Sequence, residues 1–125
     1  MATMKRRRLT ALESQARFLA PVADGFTLAD CGELGLLVAA ALEAYDDAAA
    51  DRTRTLEAFQ LIRVISYAAD VMAGDQRRMA VNRDGLRDLF ATEEPEPGHA
   101  RVMWTDRKPP EALELFRFLE SEGHL

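Results

Sequence analysis

Apolar side chains recur at helical spacing from Leu34 onward. Leu34, Leu37, Val38, Ala41, Leu42 and Tyr45 stand at i, i+3, i+4, i+7, i+8 and i+11, which places them on one stripe of an α-helix and fails the alternation of a strand. From Leu56 to Met72 the pattern is denser. Leu56, Phe59, Leu61, Ile62, Val64, Ile65, Ala68, Ala69 and Met72 cover most of a helical circumference and leave Gln60, Arg63, Tyr67 and Asp70 as a narrow polar seam. A helix apolar nearly all round is a central one, covered by neighbours or by a second subunit.

Between the two runs, Asp46 to Thr55 contains neither Gly nor Pro. One unbroken helix over 34–73 would run about 60 Å, long for a domain of this size. Asp and Thr are good N-caps, so the pattern predicts a helical hairpin broken near Asp51. The apolar phase nearly carries across the join, which keeps one long helix as the alternative.

The flanks read as shorter elements. Thr10 and Glu13 have the spacing of a capping box, predicting a first helix over 11–20 that Pro21 stops. Asp24-Gly25 is a turn pair, Thr27 a candidate N-cap, and Phe26 is placed to staple onto Cys31. After the hairpin, Gly74-Asp75 is a C-cap and turn. Val81-Asn82 reads as a second staple and cap, opening a short helix from Arg83 to Phe90. The stretch 91–100 is acidic and broken by prolines, hence an exposed loop. Residues 101–105 are the one place for a short extended segment. Pro109-Pro110 opens a last helix to Glu122, closed by Gly123. The expected fold is therefore all-α, four to five helices packed about the 34–73 hairpin.

Composition narrows the class. At 125 residues the chain is long enough for one domain with its own core, here expected over 9–125. The single cysteine, Cys31, can form no internal bridge, which fits a reducing, cytoplasmic setting, and its bland role is a small buried hydrophobe. No run reaches the length of a membrane span, and the basic start is followed by an amphipathic stretch, so neither signal peptide nor membrane anchor is expected. The excess of Arg over Lys and the abundance of Ala point to a GC-rich bacterial or phage source. The net charge of −5 hides a basic arm, residues 1–8, with four positive side chains and no periodicity.

Catalytic chemistry finds little to work with. Glu43, Asp46, Asp47 and Asp51 would share a helix face if the helix ran that far, but helical metal sites combine Glu-x-x-His pairs from several helices. Glu96 and His99 have that spacing with Pro97-Gly98 between them, which forbids the helix. Cys31, His99 and His124 are too scattered for structural zinc. Ser14, Ser66 and Ser121 lack the Gly-flanked context of a hydrolase elbow. Gly32 and Gly35 lack the partners of a phosphate loop. A non-enzymatic protein with no cofactor and no metal is expected.

Two recognition surfaces remain. Val102, Met103 and Trp104 form an apolar triplet beside the basic Arg107 and Lys108, residue types that anchor and rim protein interfaces; the bland reading is that Trp104 caps the core. Lys5, Arg6, Arg7 and Arg8 of the arm, with Arg77, Arg78, Arg83 and Arg87 around a helix after a turn, outline a nucleic-acid surface. Asp75, Asp84 and Asp88 cancel much of that charge, and the chain as a whole is acidic. The leading expectation is a protein-binding module, an adaptor, inhibitor or regulator; the alternative is a nucleic-acid-binding regulator. The apolar girth of 56–72 also predicts a homodimer with the central helices at its interface.

Overall fold

The computed structural model describes residues 32–95 and 103–125. The basic arm, the helix expected over 11–20, the Thr27 cap and Cys31 lie outside the described residues, as do 96–102. The fold is all-α: among the described residues there are four α-helices and no strand. They are α1, Gly32–Ala49; α2, Thr55–Ala73; α3, Gln76–Leu89; and α4, Pro110–Ser121. None of them is long and apolar enough to cross a membrane.

The hairpin expected over 34–73 is present, with its break at Asp51. α1 ends at Ala49, and a single 3-10 turn, Arg52–Arg54, leads into α2. Asp51 caps that turn: its Oδ1 accepts the Thr53 amide at 2.9 Å and the Thr53 hydroxyl at 2.7 Å. The Thr53 hydroxyl first and its amide second hold the Asp51 carboxyl below the usual carboxylate range. The four-carboxylate face is thereby lost, since Asp51 lies beyond the end of α1. Among the described residues no cluster of His, Cys, Asp or Glu could hold a metal ion.

α2 is the axis of the bundle, packed against α1, α3 and α4. Leu61, Val64, Ile65 and Ala68 are fully buried and meet Val38, Ala41 and Leu42 of α1 and Ala112, Leu115 and Leu119 of α4 in one core. Each large aliphatic side chain so buried contributes about 1.5–3 kcal/mol. Two features of this helix are not given by its pattern. Phe59, one of its apolar positions, is half-buried at the edge of the core, with the Arg63 guanidinium 5.9 Å from its ring centroid. Three of the four residues of the polar seam face inward: Gln60 is 0% exposed, Tyr67 1% and Asp70 7%, while Arg63 is half-buried.

The reason lies in α3, which docks along that seam. Gln60 Nε2 donates to the Leu89 carbonyl at 3.4 Å, and Arg83 Nε donates to Tyr67 Oη at 3.4 Å. Tyr67 Oη in turn donates to the His124 carbonyl, tying the end of the chain to α2. Asp70 sits against the start of α3, where burial pushes its carboxyl above the ordinary range. Arg78 opposes that rise and Asp75 adds to it. Gln60 and Tyr67 are thus interior because each has a partner across the interface, which polarity along one sequence does not reveal.

α3 also begins earlier than the sequence pattern predicts. Its N-cap is Asp75, whose Oδ1 accepts the Arg78 amide at 3.0 Å. Asn82, read as the cap, lies inside the helix and donates from Nδ2 to the Arg78 carbonyl at 2.9 Å. Val81 is 76% exposed, so it staples onto nothing in the core; Met79, Leu86 and Leu89 supply the buried face. The α2–α3 turn closes as foreseen. Gly74, at φ 68°, donates to the Val71 carbonyl, and Asp75 donates to Asp70, the paired bonds of a Schellman end.

α4 opens with Pro110 at its first turn and ends at Gly123, φ 80°, with His124 donating to the Leu119 carbonyl. Phe116 stacks on Phe90 at 4.6 Å between ring centroids. Residues 91–95 are irregular, as the proline pattern implies. Of the segment expected to be extended, Met103 is helical, and Trp104 and Thr105 are irregular.

Candidate interaction surface

The approach to α4 assembles most of the apolar-basic patch. Met103 packs against the core from its margin, and the next residue carries the large ring. Trp104 is half-buried, and its indole Nε1–H donates to the Ala91 carbonyl at 3.1 Å, so the ring is fixed to the end of α3. Lys108 lies across it: Nζ is 4.5 Å from the ring centroid and donates to the Thr105 carbonyl at 2.6 Å. Burial lowers the Lys108 pKa from its ordinary value, and Asp106 partly offsets the effect. The Arg107 amide donates to Thr105 Oγ1 at 3.2 Å, which closes the turn and leaves the Arg107 side chain exposed.

The result is an indole with a cation over one face, next in sequence to a methionine packed on the core and followed three positions on by an exposed arginine. Cation–π contact of this kind is worth about 0.5–2 kcal/mol depending on desolvation, and both hydrogen bonds hold the arrangement before any partner arrives. Val102 lies outside the described residues. Ala91 and Thr105, which orient the two key side chains, carry no sequence signal: their contribution is through backbone carbonyls, and Ala91 is thirteen positions from the indole it holds.

The arginines of α3 are not brought into one patch. Arg77, Arg78 and Arg87 are exposed, whereas Arg83 turns inward to Tyr67. Asp84 and Asp88 are exposed on the same helix, so the outward face alternates in sign rather than offering the uniform positive field on which phosphate binding depends. The arm residues Lys5 to Arg8 lie outside the described residues. Ser66 and Ser121 lie on helices, and the Ser121 hydroxyl donates to the Phe118 carbonyl at 2.9 Å.

Compared with protein-family models, with curated proteins and with solved structures, the chain gives no match.

Proposed function

We propose that the protein is a non-enzymatic protein-binding module, an adaptor, inhibitor or regulator, that engages its partner through the edge formed by Met103, Trp104, Arg107 and Lys108. The carrying observation is the pre-ordered indole: Trp104 is held by Ala91 and overlain by Lys108, yet it stays half-exposed. Aromatic anchors with few rotatable bonds and a basic rim lose little entropy on binding, which is why they dominate interface energetics.

Self-association remains part of the proposal on a narrower footing. Leu61, Val64, Ile65 and Ala68 of α2 are covered within one chain, so a dimer would form through the large apolar side chains left exposed among the described residues, Leu56 at the start of α2, 37% exposed, Leu36 on α1, 66%, and Val81 on α3, 76%.

The test is co-purification from native cells followed by mass spectrometry, with the parent chain, Arg107→Glu and Trp104→Ala. Arg107 is exposed, so Arg107→Glu keeps the fold. A protein captured by the parent and lost with both variants, at unchanged melting for Arg107→Glu, supports the reading. The same capture by all three chains, or none by any, overturns it.

A further inference from the structure

α3 is held differently from the other helices. α1 and α4 meet α2 through apolar side chains. The extensive packing of α3 is with α2; it adds Met79, Leu86 and Leu89 to the same core, but the side-chain hydrogen bonds between the two helices run through a polar seam of Gln60, Tyr67 and Arg83. Both hydrogen bonds across that seam are long, 3.4 Å each, and Gln60 Oε1 is buried without a partner. The start of α3 lies beside Asp70, a buried carboxyl at the end of α2 whose side chain makes no hydrogen bond among the described residues. Outward, α3 shows Arg77, Asp84, Arg87 and Asp88 to solvent, and inward it buries Met79, Leu86 and Leu89. It is joined to α2 by Gly74 and Asp75 alone, with Gly74 already in the left-handed conformation.

We propose that α3 undocks from α2 as one unit, pivoting at Gly74, while α1, α2 and α4 stay packed. Elements with few apolar contacts and imperfectly paired polar groups open below the global unfolding free energy. Among the described residues the one buried polar atom without a partner lies at this interface. The far end of α3 is fastened by Phe90, stacked on Phe116, and by Ala91, which receives the Trp104 indole; these two contacts set how rarely the helix opens. Opening bares Met79, Leu86 and Leu89. They stand at i, i+7 and i+10 on one face of an amphipathic helix, the arrangement by which such a helix seats in a partner's apolar groove. The proposal goes beyond the Trp104 surface and holds whether or not that surface binds a protein.

Native-state hydrogen exchange of the full chain, read by mass spectrometry across low urea concentrations, tests it without any substitution. The amides of Met79 to Leu89 are expected to exchange through an opening about tenfold or more populated than the one that exposes Leu61 to Ala69, and with a weaker urea dependence because less surface is uncovered. A common opening for α2 and α3, with one urea slope, overturns the proposal. Exchange of α1 or α4 together with α3 overturns it equally, since the unit that moves would then be larger than α3.

Discussion

At the scale of single residues, the account turns on polar groups inside the bundle. Asp70 is 7% exposed at the end of α2, where the helix dipole disfavours a negative charge, and burial raises its pKa. The folded-state pKa therefore lies above the unfolded one, so this group's contribution is full at low pH. It is lost as pH rises from the ordinary Asp value through the raised one. Asp70→Asn is expected to stabilise the protein at pH 7 by an amount on the order of 1 kcal/mol, measured by urea unfolding. The advantage should shrink as pH falls through that window, because the wild-type carboxyl is then neutral in both states. A less stable variant at pH 7 would show that Arg78 outweighs the burial.

Tyr67 plays the opposite part. Its hydroxyl joins α2, α3 and the end of the chain, so Tyr67→Phe, which leaves no cavity, is expected to cost about 1–2 kcal/mol. Phe59→Ala is expected to cost well under the roughly 3–5 kcal/mol of a fully buried phenylalanine, because the ring is only half-buried. Thermal or urea melts check both.

At the scale of elements, caps and glycines carry the predictions. Asp75→Ala should cost about 1 kcal/mol through loss of the cap on α3, whereas Asn82→Ala should stay within about 0.5 kcal/mol. The reverse order would restore the later helix start. Gly74→Ala and Gly85→Ala should have opposite signs. At Gly74, φ 68°, an added Cβ meets nothing within 4 Å, so the cost is backbone strain alone, about 1 kcal/mol. Gly85 has ordinary helical backbone, and its Cβ would lie an unstrained 3.6 Å from Arg63 Nη2, so alanine should gain about 0.5–1 kcal/mol. Paired melting curves decide both.

These elements also show what sequence makes legible. The break at Asp51, the turn at Gly74 and the bounds of α4 follow from caps and prolines that act within a few residues. The start of α3 is hidden because Val81-Asn82 imitates a staple and cap, while Asp75 also fits the turn that follows Gly74. The inward seam was hidden for a different reason. Gln60, Tyr67 and Asp70 are polar, and only their partners some eight to thirty positions on along α3 make them interior. The candidate surface was legible as residue types, Met103, Trp104, Arg107 and Lys108, but its rigidity depends on carbonyls at Ala91 and Thr105 that no pattern marks.

At the scale of the whole molecule, the central claim is that the aliphatic face of α2, Leu61, Val64, Ile65 and Ala68, is covered by its own chain. That claim bears on which surfaces remain for a partner: among the described residues the large apolar side chains left exposed are Leu36, Leu56 and Val81. The most direct measurement is an isotope-filtered nuclear Overhauser spectrum on a sample mixing labelled and unlabelled chains. Such a spectrum separates contacts within one chain from contacts between two. Methyls of Leu61, Val64 and Ile65 are expected to show strong contacts to Val38 and Leu42 of α1 and to Leu115 and Leu119 of α4, all of them within one chain. Contacts from those three residues to a second chain would contradict the account, because they would place a partner copy where α1 and α4 of the same chain lie.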